Sequence, residues 1–303
     1  MELETRSVTK TYDKGRVRAL SDLSVKFTPG IYGLLGPNGA GKSTLINILT
    51  TNMRPDKGQV IWDGREIIKA GKSYRTALGF MPQQQNLYDD FSGDEFLWYM
   101  ASLKGIPKKT AAQRIDQMID AVNLREARYK RLREYSGGMK QRILIAQAML
   151  NDPDILIMDE PTAGLDPNER IRITNYISQM AEGKIVIFAT HVISDIEFIA
   201  DRIILINHGR LIRNSSPFEL QESIRGKVYE GLIPRNELEE LRADQTLISN
   251  MHYAGNDVRT RIITDRTDLS DAWRPADPEL SDVYLYYNFA VEKNPDSDMM
   301  ERV

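Results

Sequence analysis

The segment GPNGAGKST (residues 36–44) has the form G-x-x-x-x-G-K-[ST], a spacing suited to gripping phosphate. Gly36, Gly39 and Gly41 leave backbone N–H groups free to wrap a β-phosphate that side chains would hold off. Lys42 brings an ammonium to the β- and γ-phosphates, and Ser43 brings a hydroxyl to the Mg²⁺ that a triphosphate calls for. Thr44 adds a hydroxyl near the α-phosphate, and Asn38 and Ala40 complete the nucleotide-binding loop. A Gly-rich turn can match such a pattern by accident, so the flanks decide. IYGLLG before the loop reads as a short apolar strand, and STLINILTT after it reads as a helix whose N-terminus adds its dipole.

A second set follows downstream. ILIMDEP (residues 155–161) is an apolar strand that delivers Asp159 and Glu160 to the edge where the phosphate loop ends, as expected of a strand opening at a topological switch point. Asp159 suits a water-mediated hold on Mg²⁺, and Glu160 suits a general base for an attacking water. Two adjacent acids after a strand also describe a solvated turn. The phosphate loop upstream is what selects the chemical reading.

The elements that must position these residues read as a largely parallel α/β core, with strands alternating with helices. Residues up to about 24 read as antiparallel edge strands, and QVIWDGREI as a hairpin about its DG turn. From Asp94 to about Leu150 the pattern becomes helical through EFLWYMASLKG, KKTAAQRIDQMIDAVNL and GMKQRILIAQAML. A helix over about 168–182 leads to the strand KIVIFATH and then to IILINHGRLI. Beyond about Arg225 the chain reads as a small α+β appendage, with VYEGLI, HYAGNDVRTRIITD and VYLYYN as strands around short helices such as ELEELR, and a frayed tail EKNPDSDMMERV.

Composition sets limits on function. At 303 residues, 41% hydrophobic and 27% charged, the chain can build one large or two smaller cores, and disorder is excluded as its main state. A formal net charge of −3 gives no field that would draw the whole protein to nucleic acid, and no nucleic-acid partner is expected. The lack of any Cys excludes disulfides and thiolate metal sites and is compatible with a cytoplasmic location. The start MELETRSVTK has no secretory pattern, and no run approaches the ~18 apolar residues of a membrane span. Any membrane process would need another chain to cross the bilayer.

YSGGMKQR (residues 135–142) resembles the signature motif of the ABC ATPases, whose family form is LSGGQ. Tyr135 and Met139 depart from that form, while Ser136, Gly137 and Gly138 keep it. The remaining motifs come in the family's order. The resemblance implies that Gln83, in FMPQQQ, touches Mg²⁺ and the attacking water, with Gln84 and Gln85 as weaker candidates. It also implies that Asp166, in AGLDP, communicates across a dimer, that His191 contacts the γ-phosphate, and that Tyr12 stacks on adenine. Taken singly, His191 reads as ordinary surface at a strand end, Tyr12 as a half-buried strand aromatic, and Ser136 as a helix N-cap. The ordered series gives them their roles.

What the resemblance implies is a P-loop NTPase cassette over residues 1–222, with a RecA-like α/β core, an antiparallel β subdomain and a helical subdomain at about 84–150, followed by an accessory α+β domain at 223–303. A signature motif of this kind acts on the nucleotide of a facing subunit, so two cassettes would lie head to tail around two ATP molecules. The chain would be an ATPase working with an integral-membrane permease, peripheral to the cytoplasmic face of the membrane. The permease would dock between core and helical insertion near QNLYDDFSGDEFL, where Tyr88 and Phe91 stand, although both could equally be helical core. LYDDFSGDEFLWYMASLKGI and DPELSDVYLYY are similar to the cassettes of bacterial ABC-2-type exporters of drugs, antibiotics, peptides or lipid-like substrates. A regulatory cassette with little transport and a soluble non-transport ABC ATPase are the alternatives. A translation ATPase normally carries two cassettes, and only one phosphate loop occurs here; a DNA-repair ATPase would need a long coiled coil between Gln83 and Ser136. A GTPase would need a guanine reader containing an Asn-Lys pair, and the chain has none.

Overall fold

The computed structural model describes residues 1–83, 87–243, 246–266 and 268–293. They form two compact units that divide between residues 214 and 215. Gln84 and Gln85, and residues 294–303 of the tail, lie outside the described residues.

The first unit opens with β1 (Leu3–Tyr12) and β2 (Val17–Phe27), paired antiparallel. β3 (Gly30–Leu35) runs into α1 (Lys42–Leu49), after which β4 (Lys57–Trp62) and β5 (Arg65–Glu66) return to the first pair in the order β2-β1-β4-β5. Two short helices, α2 (Ile67–Ala70) and α3 (Lys72–Ala77), lead to β6 (Leu78–Met81), a strand the sequence reading did not separate out. The helical insertion comprises α4 (Gly93–Leu103), α5 (Lys108–Ala121) and α6 (Gly137–Met149). The core then resumes with β7 (Ile155–Asp159), α7 (Pro167–Met180), β8 (Ile185–Ala189), β9 (Arg202–Asn207) and β10 (Arg210–Ser215).

The second sheet has the order β10-β9-β3-β8-β7-β6, and β9, β3, β8, β7 and β6 run parallel. β7 and β8 are buried at every residue, which is why ILIMD and IVIFA are unbroken apolar runs rather than alternating ones. Tyr32, Leu34, Leu45, Ile157 and Ile187 belong to the core cluster under this sheet. The sheet delivers the C-terminal ends of β3, β7 and β8 to one edge, where the phosphate loop, Glu160 and His191 follow.

Several helix starts are set by side chains. Ser92 and Glu95 form a reciprocal capping box on α4, and Asp166 caps α7 with Pro167 in its first turn. α6 differs from the others: Gln141, Ile143 to Met149 and its neighbours leave no polar stripe, so the helix is enclosed rather than laid on a surface. Among the described residues no helix is long and apolar enough to cross a membrane.

The second unit contains α8 (Pro217–Ser223), β11 (Val228–Pro234), α9 (Arg235–Ala243), β12 (Leu247–Ala254), β13 (Asp257–Ile263), β14 (Trp273–Pro275) and α10 (Leu280–Lys293). Its sheet has the order β12-β13-β11-β14, and Ile233, Leu238, Val258, Ile262 and Trp273 form a core of its own. α8 packs in this unit, with Tyr287 Oη donating to Ser223 Oγ at 2.9 Å, and the compact division lies at 214/215, beside the expected domain limit at 222/223. One reading is corrected here. VYLYYN lies inside α10 and is not a strand: its buried residues Leu280, Val283 and Tyr287 recur at helical spacing, although the aromatic content suggested a strand.

Candidate functional site

A cavity of about 330 Å³ opens where β3 ends. Its walls bring together the loop from Asn38 to Thr44, Tyr12 from β1, Gln83 after β6, and Asp159 and Glu160 at the end of β7. The loop is close-fitting at both ends. A Cβ on Gly36 would stand 2.1 Å from the Ile206 carbonyl oxygen, and one on Gly41, whose φ is +107°, would stand 2.4 Å from the Ala19 carbonyl oxygen. Only glycine meets both demands at Gly41, which also starts α1 and aims the helix N-terminus into the cavity. Gly39 differs from these two, and crowding by the chain is not what requires a glycine there. It is exposed at the tip of the loop, and a Cβ on it would meet nothing within 4 Å. Its φ of +80° is the demand that glycine satisfies, and the open space beside it is on the cavity wall, where a phosphate has room to approach the backbone.

Lys42 Nζ donates to the carbonyls of Gly36 at 2.5 Å and Pro37 at 3.1 Å, so the ammonium is held over the loop it follows. Burial lowers its pKa, against the opposing pull of Glu160 and Asp159. Burial first, and the Glu160 charge second, raise the Asp159 carboxyl above its ordinary value, with Lys42 opposing. Two half-compensated acids facing one cation leave room for another positive charge. Among the described residues no cluster of three or more His, Cys, Asp or Glu side chains could hold a metal alone. Ser43, Gln83 and Asp159 nevertheless offer hard oxygen donors in one cavity, and with phosphate oxygens they fit the set Mg²⁺ prefers.

Glu160 is fixed at both backbone and carboxylate. Its φ is +54°, a left-handed conformation that costs a non-glycine residue on the order of 1 kcal/mol. Its N–H donates to the Ala189 carbonyl at 2.8 Å, and its own carbonyl accepts from Gln141 Nε2 at 2.6 Å and from the Ala163 N–H at 3.2 Å. Oε1 lies 2.8 Å from His191 Nδ1, and Oε2 accepts from Thr190 Oγ1 at 3.3 Å. Glu160 is 7% exposed, whereas the His191 side chain is 65% exposed, so the imidazole bridges a buried carboxylate to the solvent side. That pairing fixes the orientation of the carboxylate at the edge of the cavity.

Tyr12, 38% exposed, has its hydroxyl 3.3 Å from Thr44 Oγ1 and 3.2 Å from Met53 Sδ, which leaves its ring at the cavity wall. The other expected residues stand apart from this cavity. Ser136 is exposed and caps α6 by accepting from the Met139 N–H at 3.2 Å, and a Cβ on Gly137 would meet nothing within 4 Å. Gly138 is half-buried against Gly164 and Leu165. Asp166 is exposed and caps α7 through the Glu169 N–H at 3.0 Å. Ser136, Gly137 and Asp166 are therefore exposed outside the cavity, and Ser136 and Asp166 also have local structural work as N-caps.

The sequence reading missed Thr190, Gln141 and the wall formed by Val17, Arg18 and Ala19. Thr190 stands beside His191 and could have been suspected. Gln141 sits inside YSGGMKQR but meets Glu160 only through the fold.

The family model described as ABC transporter matches residues 20–163. The doxorubicin resistance ATP-binding protein DrrA of Mycobacterium tuberculosis is 36% identical over 238 residues, covering 78% of this chain and 72% of its own. The chain belongs to the ATP-binding proteins of ABC transporters. The Nod factor export ATP-binding protein I of Rhizobium etli is 33% identical over 296 residues, 93% of this cassette chain and 92% of its own, so the likeness continues through the second unit. Among solved structures, a dimeric ATP-binding cassette in a post-hydrolysis state with ADP and Pi superimposes with a TM-score of 0.65 at 27% identity, covering 71% of this chain and 98% of that one. The cassette fold is thus the P-loop α/β fold expected, and the chain is an ATP-binding ATPase subunit of an ABC transporter.

Proposed function

We propose that this cassette hydrolyses ATP at two composite sites in a head-to-tail dimer and so drives a membrane exporter. The observation that carries the chemical part is Glu160, which lines the cavity together with Lys42 and Ser43 and is paired through its carboxylate with His191. In this reading the N–H groups of residues 38–44 and the Lys42 ammonium hold the β- and γ-phosphates, and Tyr12 stacks on the adenine. Glu160 takes the proton of the attacking water, and His191 holds the γ-phosphate and keeps the Glu160 carboxylate aligned. Mg²⁺, held by Ser43, Gln83 and, through water, Asp159, would neutralise charge on the β- and γ-oxygens.

Ser136, Gly137, Gly138 and Asp166 act on the nucleotide of the second cassette. The exposure of Ser136, Gly137 and Asp166 away from their own cavity supports this, as does the dimer found for a related cassette. ATP then bridges two chains, and its hydrolysis releases them, which is the motion passed to a permease. Tyr88, Phe91 and Tyr99 form an aromatic cluster, with Tyr88 stacked on Phe91 at 5.1 Å and 46% exposed, and this cluster is the proposed landing for the permease. The names of relatives, drug resistance and Nod factor export, favour an exporter with the cassette peripheral to the membrane's cytoplasmic face.

Glu160→Gln should leave ATP affinity near wild type, lower turnover by on the order of 10³-fold, and hold an ATP-dependent dimer on size-exclusion chromatography. Turnover near wild type would remove Glu160 from its role. Co-purification with an integral-membrane protein tests the transport reading. A soluble partner in its place would favour the regulatory alternative.

A further inference from the structure

The side chain that fixes the backbone of Glu160 from the far side is Gln141, and it comes from α6, the helix that the signature residues begin. Gln141 is 9% exposed, and its amide nitrogen reaches the Glu160 carbonyl at 2.6 Å across nineteen residues of sequence. Two facts make that bond consequential. Glu160 adopts φ +54°, which a glutamate holds only while its surroundings impose it. Its N–H is tied to Ala189 in β8, so the following peptide, through its carbonyl, is where the turn could relax, and besides Gln141 that carbonyl accepts the short-range Ala163 N–H at 3.2 Å.

α6 is also enclosed along most of its length. A second buried amide, Gln147 Nε2, donates to the Phe80 carbonyl in β6 at 2.8 Å, so the helix is fastened to the core at two points along its length. A displacement of the exposed N-terminal end at Ser136 is therefore carried to the Glu160 carbonyl rather than absorbed in the helix.

We infer that Gln141 is a positioning residue that holds the Glu160 turn in its left-handed form and couples the carboxylate's aim to the placement of the signature helix. This rests on the reading of Glu160 as the base. Glu160 precedes Pro161, which disfavours the right-handed helical region, so loss of the amide donor lets the turn relax toward an extended conformation and swings the carboxylate away from water and His191. Misplacement on the scale of an ångström costs up to about 10²-fold in rate.

The test uses the full-length chain and steady-state ATPase kinetics. Gln141→Met keeps the length and apolar stem of the side chain but has no N–H to donate. Gln147→Met removes the equivalent bond at the other end of the same helix. Gln141→Met should lower kcat by about 10- to 100-fold with KM for ATP within about threefold of wild type. Gln147→Met should lower the melting temperature to a similar extent while keeping kcat within about threefold of wild type. Equal losses of kcat in both variants, or a rise in KM with kcat unchanged, would overturn the inference, because a purely structural role predicts those outcomes. Glu160→Gln separates the two levels. If it turns over near wild type, the base assignment fails; if it is inactive while Gln141→Met is not, only the role of Gln141 fails.

Discussion

Tyr12 makes two separable interactions, one through its ring and one through its hydroxyl to Thr44 and Met53. If the ring stacks on adenine, Tyr12→Ala should raise KM for ATP about tenfold with kcat little changed, since base–aromatic stacking is worth on the order of 1–3 kcal/mol. Tyr12→Phe should behave as wild type in the same assay. A KM that follows the hydroxyl instead would place the adenine elsewhere. At this scale the loop at 36–44 and the acids at 159 and 160 are local strings that the fold gathers at one cavity, whereas His191 taken alone reads as ordinary surface and was singled out only through the ordered series of motifs. What escaped were partners that only folding brings close. Gln141 lies nineteen residues before Glu160, and no periodicity in YSGGMKQR marks its amide as aimed at that carbonyl.

Between elements, α4 ends at Lys104, whose ammonium donates to Asn151 Oδ1 at 2.8 Å, while Asn151 donates to the Thr76 carbonyl at 2.8 Å. This links the helical insertion to the turn that precedes β7. Burial pulls the pKa of Lys104 down to about 8. The unfolded chain therefore holds more protons than the folded one between about 8 and the ordinary lysine value near 10.4, and stability rises with pH across that window. Below about 8 the cost of the charge is fully present. Lys104→Met should raise stability at neutral pH by about 1 kcal/mol and flatten the rise, read from melting temperatures between about pH 7 and pH 10. Elements whose period is unambiguous were read correctly, among them α4, α5 and the buried strands β7 and β8. α10 was misread because aromatic residues favour strands in general, while here Leu280, Val283 and Tyr287 place the helical face against its unit.

At the scale of the molecule each unit carries its own core, and in the second a half-buried cation joins several elements. Arg261 donates to Asp282 Oδ2 at 2.7 Å, to Glu230 Oε1 at 2.5 Å and to the Asp277 carbonyl at 2.6 Å, joining β13 to β11 and to the start of α10. The hydrogen bond to Asp282 is the leading cause that raises the pKa of Arg261. The Asp282 side chain is 1% exposed, so removing its partner strands a buried carboxylate. Arg261→Met should destabilise the second unit by about 3–5 kcal/mol, seen in calorimetry as a lowered transition with that of the first unit unmoved. A single transition shifted as a whole would mean that the units unfold together.

Ser136 sits outside the cavity that holds Lys42, with open space over Gly137. A chain built this way, if a second chain completes its site, is a catalyst whose reaction order in itself exceeds one. Specific ATPase activity should climb with protein concentration until the dimer saturates. Adding a Glu160→Gln chain to a fixed amount of wild type should poison the mixture out of proportion to its share, because each inactive partner occupies a productive face as well as failing at its own.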